Sequence, residues 1–432
     1  MSRPEVDPVA GGLAGAGEIG SAPARTSPLL RTFRAFTYRD YRLLWAGAFT
    51  SSVGTWMQEV AQNWLILTMT GSAFLLGLDA FLGDAPFLAF SLFGGVLADR
   101  MDRRRILLSS QIVQLCSAFL LAALILGNAI HVWIILTLSF VVGLAQSFGG
   151  PAYQALVPTL VDRKDLGNAV ALNSIQFNLA RVIGPVLAGI AFYKLGAAAC
   201  FGLNGLSFLA VIAALLVLKR GALDKGVARP EPVMESLKTG LRTARDAKPL
   251  RGLIVLSFVG SFCAMPLVTF LPVFAREVFH KDAKGYSGLL AAFGVGAVLG
   301  AIAIAGFGHV RRKGILAVAM QVTFGALMVA FAVSRDLVVS YALLFAAGAA
   351  LMVVFAMFMT LVQSNVEDRL RGRIVSVYSL AFRGAMPLGN LTAGFLAAFL
   401  KAPLVLVMDG LVLVIVGTIV LLRHSKSGVT SL

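Results

Sequence analysis

Twelve apolar runs, each twenty or more residues long and nearly free of charge, follow one another between residues 43 and 422. A helix needs about 20 apolar residues to cross a hydrocarbon core of roughly 30 Å. Inside that core every backbone N–H and C=O must be satisfied within the protein, which leaves helices or closed barrels. A barrel would alternate apolar and polar residues in strands of about ten, and these runs are too long and too uniform for that. Composition agrees: 58% of the residues are hydrophobic and 13% charged, against roughly 45–50% and about 25% in soluble domains. In water such a chain would expose large adhesive patches. The expected fold is all-α, with twelve transmembrane helices.

The formal net charge of +16 invites a nucleic-acid reading, so its distribution matters. Of the 37 Lys and Arg, 29 fall in the head, the tail and every second connection. The opposite connections hold six: Lys194, Arg276, Lys281, Lys284, Arg335 and Lys401. Arg181 and Arg383 fall inside helices. This asymmetry is the positive-inside pattern and places both termini in the cytoplasm. No basic stripe is interleaved with aromatics, so no nucleic-acid partner is expected. Cys116, Cys200 and Cys263 have neither disulfide nor metal spacing, and neither metal nor cofactor is expected.

The runs also divide the chain. Residues 1–37, rich in Gly, Ala and Pro, read as a disordered cytoplasmic tail. A six-helix bundle at 38–218 is followed by a charged cytoplasmic linker at 219–251, a second bundle at 252–422 and a tail at 423–432. The halves repeat one another. Run 5 contains Arg181-Val-Ile-Gly184-Pro185, and run 11 contains Arg383-Gly-Ala-Met-Pro387, each arginine four residues before a proline. Run 2 ends in Asp99-Arg100-Met-Asp102-Arg103-Arg104-Arg105, and run 8 in His309-Val-Arg311-Arg312-Lys313. Two halves in the same orientation are parallel repeats about an axis normal to the membrane.

The segment Gly95-Val-Leu-Ala-Asp99-Arg100-Met-Asp102-Arg103-Arg104-Arg105 resembles the signature between helices 2 and 3 of the major facilitator superfamily, with Asp102 in place of its second glycine. The D-R-x-D-R-R-R form is similar to the branch of the enterobactin exporter and other transmembrane secretion effectors. Trp45 to Trp64, Asn178 to Gly189 and Leu271 to Gly300 resemble the same branch, and the likeness runs from about residue 35 onward. It implies that Asp99 caps the N-terminus of helix 11 near Arg371 to Arg373, a contact made in one conformation and broken in the other. Asp99 at a helix C-terminus is unfavourable for that helix's own dipole and calls for such a partner. Arg100, Arg103 and Arg104 would hold the loop inside. Gly184-Pro185-x-x-Ala188-Gly189 resembles the core of the helix 5 antiporter motif, although Ala171 and Ala180 stand where that motif has glycine. Gly184, Pro185 and Pro387 suggest bends against neighbouring helices. Helix 4 lacks the arginine that many proton-coupled drug antiporters carry.

Ionisable groups within the bilayer are costly and are functional candidates by default. At 1.5 Å per residue, Glu59 lies about 12 Å from the outer end of helix 1 and Asp84 about 17 Å along helix 2. Either could carry a coupled proton, or pair statically with Arg181. Glu59, Gln62 and Asn63 share one helix face. Arg181 and Arg383 could grip an anionic substrate through their forked donors or pin the halves together. The resemblance implies a cavity lined by helices 1, 4, 7 and 10. These offer Trp56 and Gln62, Tyr153 with Gln154, Phe262 and Met265, and Phe355 and Met359, an adaptable apolar surface. No H-E-x-x-H, G-x-S-x-G or Gly-rich phosphate loop supports an enzyme or ATP-driven transport. The expectation is a monomeric permease of a bacterial inner membrane. It would export a hydrophobic or amphiphilic compound, drug-like or a siderophore, by alternating access and proton antiport. An importer or a lysophospholipid flippase on the same fold is the alternative.

Overall fold

The computed structural model describes residues 33–218, 241–243, 245–306 and 312–423, and among them there are helices and turns but no strand. Twelve long helices run in sequence: α1 Arg39–Thr70, α2 Ala73–Arg100, α3 Arg103–Leu126, α4 Val132–Leu156, α5 Leu166–Leu195 and α6 Ala197–Val217 form the first six. α7 Lys248–Val273, α8 Ala283–Gly306, α9 Lys313–Val333, α10 Leu337–Ser364, α11 Asp368–Leu400 and α12 Ala402–Leu422 form the second. Ten are long and apolar enough to cross a membrane on those grounds alone. The exceptions are α1 and α11. The first carries Gln58, Glu59, Gln62 and Asn63 mid-helix, and the second carries arginines at 369, 371, 373 and 383. Large apolar side chains such as Leu126, Trp133, Leu206, Ile302 and Ile415 stand exposed on the outer faces, as hydrocarbon-facing residues do.

Two expected boundaries move. The segment assigned to the N-terminal tail ends in a 3₁₀ turn, Arg34–Thr37. The Ala35 amide donates to Asn168 Oδ1 of α5 at 2.8 Å, and Arg34 pairs with Asp165 at 3.2 Å. These bonds tie residues 34–37 to the bundle. The linker ends earlier than 251, because Pro249 sits in the first turn of α7, where a missing N–H costs nothing.

Contacts sort the helices into two sets of six. In the first, α1 packs on α5 and α6, α2 on α4, and α3 on α4 and α6; in the second, α7 packs on α11 and α12, α8 on α10, and α9 on α10 and α12. Adding six to each helix number turns the first set into the second. The main contacts between sets, α2 with α11 and α5 with α8, exchange under the same operation. The repeat read from the Arg–Pro and basic-loop spacing is thus also a repeat of packing.

The ends of the bundle differ. The end where α1 starts and α12 stops is called the terminal face here, and the opposite end the far face. Toward the far face one hydrophobic core joins both halves, with Val60, Leu67, Ala188 and Phe201 against Leu271, Phe274, Leu289 and Ala393. Toward the terminal face there are two separate cores. Tyr41, Leu107, Leu156 and Leu172 belong to the first half, and Leu253, Val318, Phe358 and Ile374 to the second. Small residues allow the closest crossings. A Cβ on Gly143 of α4 would collide with the Gly83 carbonyl of α2, within one half. One on Gly77 of α2 would collide with the Asn390 carbonyl of α11, across the halves.

Candidate functional site

The far-face seal is polar as well as apolar. Asn63 of α1 donates to the Tyr286 hydroxyl of α8 at 3.3 Å, and Trp64 stacks on the same ring at 6.4 Å between centroids. Beyond α7 a π-helical turn, Phe274–Val278, carries Arg276, which donates to the Leu67 carbonyl at 2.6 Å. That carbonyl is in the last turn of α1, where it also accepts from the Gly71 N–H at 2.8 Å and the dipole favours a cation.

Below this seal, α1 presents a ladder of polar side chains. Gln58 accepts from Asn204 of α6 at 2.7 Å. Gln62 Nε2 donates to Asp79 of α2 at 2.7 Å and meets Ser139 of α4 at 3.0 Å, while Ser139 donates to the other Asp79 oxygen at 2.6 Å. Asp79 is therefore buried with both oxygens engaged, tying three helices of one half together. Glu59, one turn away, is different. Its side chain is exposed although it lies midway along α1, and Arg181, Asp84 and Asp79 lie within its electrostatic reach. Asp84 is likewise exposed mid-helix and feels Arg383. Two acids of the first half and two arginines on α5 and α11 thus face the interior at one level.

Neither arginine forms an ion pair among the described residues. Arg181 is half-buried, its guanidinium carbon 5.3 Å from the Trp56 ring centroid and 5.8 Å from that of Phe293 on α8. Arg383 lies 4.1 Å from the Phe87 ring centroid on α2. Gly184 and Pro185 are buried inside α5, which stays helical through them, with Gly184 against the Trp56 Cβ and the α1 backbone at Val53 and Met57. Pro387 is likewise inside a continuous α11.

Between the separated terminal-face cores lies a cavity of about 520 Å³, lined by α2, α4, α10 and α11. Phe87, Leu88, Phe355, Met359, Tyr378 and Phe382 make its apolar wall, and Gln154, Ser379 and Arg383 its polar points. Its volume suits a drug-sized molecule, for which pockets run to about 300–1,000 Å³.

Most of the chain matches known proteins. A family model described as "Transmembrane secretion effector", a major facilitator family, covers residues 30–428. The chain belongs to that family. It is 22% identical to macrolide efflux protein A of Streptococcus pyogenes over 83% of its length and 91% of that protein's. It is 27% identical to the multidrug efflux pump Tap of Mycolicibacterium fortuitum, over 82% and 88% of the two chains. Among solved structures, a bacterial homologue of the human lysosomal transporter Spinster superposes with a TM-score of 0.70 at 14% identity, covering 94% of this chain and 98% of that one. This is a multi-pass membrane transporter of the major facilitator superfamily, not an enzyme.

Only some of the residues expected in the substrate cavity line this one. Helices 4 and 10 line the cavity, through Gln154, Phe355 and Met359, but α2 and α11 replace α1 and α7. With the far face closed, Phe262 and Met265 of α7 pack against the shared core. Trp56 lies beside Arg181, and Gln62 is bound to Asp79. Tyr153 does not line the cavity. Its hydroxyl reaches Asn173 and Gln176 of α5 at 3.3 and 3.4 Å, and the next residue, Gln154, is the one presented. Arg383 was expected from the sequence, but its α11 neighbours on the cavity wall, Tyr378, Ser379 and Phe382, were not, although their i, i+4 spacing marks one helix face.

In the loop signature, the surroundings of Gly95 and the side chains of Asp99, Arg100 and Arg371 lie outside what is described, so the expected cap on α11 does too. The rest of the loop has a local role. Asp102 is the N-cap of α3 and accepts from the Arg104 amide at 2.9 Å, which explains an acid where the signature has glycine. Arg103 donates to the Ala155 carbonyl at the end of α4 and Arg104 to the Leu216 carbonyl at the end of α6, at 3.1 and 2.8 Å. Both bind carbonyls that helix ends leave unpaired.

Proposed function

We propose that this protein exports a hydrophobic or amphiphilic small molecule from the bacterial cytoplasm by alternating access, in exchange for protons. The observation that carries this reading is the asymmetry of the core: one core bridging the halves at the far face, and two cores with a cavity between them at the terminal face. Two rigid halves that meet at one end can rock until they meet at the other, because packed interfaces are bistable rather than elastic. The excess of Lys and Arg on the terminal side supports a cytoplasmic location for that face, in the inner membrane. The cavity then opens to the cytoplasm. Efflux relatives support export as the direction.

Glu59 and Asp84 supply the coupling in this reading. Both are accessible acids at the level where the halves separate, each near an arginine. A carboxylate whose surroundings change as the halves rock has a different proton affinity in each conformation, and coupling requires that difference. Asp79, bonded through both oxygens inside one half, stays in place. The test is transport in inverted vesicles loaded by a pH gradient, with a panel of apolar dyes. Glu59→Gln or Asp84→Asn should abolish uphill transport, while exchange between equal pools continues. If both variants, singly and together, still drive uphill transport with normal pH dependence, these acids do not carry the proton.

A further inference from the structure

The two duplicated arginines have unlike surroundings. Arg181 is half-buried between aromatic rings of both halves, near Trp56 and Phe293. Arg383 is exposed on the cavity wall, and among the described residues it is the one charged side chain lining that cavity. Phe87 lies 4.1 Å away, and no carboxylate pairs with Arg383. A cation resting against a ring is held by the ring's quadrupole and spends no N–H donor. Its planar fork of donors therefore remains available.

The surrounding wall is aromatic. Phe355 meets Phe382 edge-on at 4.6 Å, and Tyr378 stacks on Phe382 at 5.9 Å. An unpaired guanidinium in such a cleft is costly, and a planar oxyanion relieves the cost with two parallel charge-assisted bonds. Resting on the transport reading above, we infer that the cavity selects amphiphiles carrying a carboxylate beside an aromatic body, with Arg383 as the residue that grips the carboxylate. Phe87 backs the guanidinium, and Phe355, Tyr378 and Phe382 take the body. Asp84, within electrostatic reach of Arg383, is the acid that the substrate carboxylate displaces as counter-charge. Arg181, enclosed by rings, serves the junction of the halves instead.

The test uses the full-length protein in lipid nanodiscs and three fluorescent probes built on one naphthalene body: a carboxylate, its neutral carboxamide and an ammonium. The wild type should bind the carboxylate roughly ten- to a hundredfold more tightly than the carboxamide, as expected for a charge-assisted bidentate contact. Arg383→Gln should erase that preference and keep carboxamide binding. Arg383→Lys should retain part of it, because lysine keeps the charge without the fork. Ser379→Glu, one turn from Arg383 on the same face, should also erase it by supplying an internal carboxylate, which covers the case in which Arg383→Gln does not fold. Equal binding of all probes, preference for the ammonium, or an intact preference in Arg383→Gln or Ser379→Glu overturns the selectivity while leaving transport standing. Failure of the wild type to bind any of the three overturns the cavity reading and this inference with it.

Discussion

The far-face seal can be opened by a single methyl group. Gly77 of α2 faces α11 so closely that a Cβ there would stand 2.9 Å from Gly394 Cα, and nearer still to the Asn390 carbonyl. Both obstacles are backbone, so no side chain can rotate away and the helices themselves must part. Overpacking of this kind costs roughly 1–3 kcal/mol. In Gly77→Ala the cost applies only while the far face is closed, because α2 and α11 belong to different halves. A penalty of about 2 kcal/mol multiplies the population open at the far face roughly thirtyfold. Gly143→Ala is the matched control, since its clash with Gly83 lies inside one half and persists in both conformations. The assay is the labelling rate of Met265→Cys, beneath the far-face core, by an impermeant maleimide applied from that side, with Cys116, Cys200 and Cys263 replaced. Gly77→Ala should speed labelling roughly thirtyfold, while Gly143→Ala lowers thermal stability without changing the rate. Equal rates in the two variants would show that the halves do not part at α2 and α11, and the rocking argument would fail.

Other outcomes follow from the same contacts. Asp79→Asn leaves Gln62 or Ser139 facing an amide NH₂ in place of an acceptor, at a cost of about 1–3 kcal/mol. The purified variant should melt lower, and an unchanged melting temperature would mean that the three-helix knot contributes nothing. Arg181→Lys should lower the melting temperature more than Arg383→Lys, because only Arg181 is held between rings of both halves; the reverse order would refute the division of labour between them. Asp102→Ala removes the α3 N-cap, worth about 0.5–2 kcal/mol. It should reduce stability while leaving transport of the surviving protein intact.

Much of this molecule was legible without coordinates. The twelve long helices, the duplication and the interior charges Glu59, Asp84, Arg181 and Arg383 all follow from local rules. A span must be long and apolar, a repeat copies its spacing, and a charge within an apolar run must lie inside the bundle. Cavity-lining residues were less legible. Tyr153 and Gln154 are adjacent, and only the rotation of α4 against α5 decides which one faces the cleft. Trp56, Gln62, Phe262 and Met265 are on the helices the superfamily uses, yet closure of the far face leaves the cavity to α2, α4, α10 and α11. The sequence alone determines which elements exist and which charges must be accommodated, because hydropathy and helix geometry act over one or two turns. Only the tertiary structure separates Arg181 from Arg383, which share a local motif. The difference between them is the company of other helices, and that is set by how two six-helix halves pack at one end and part at the other.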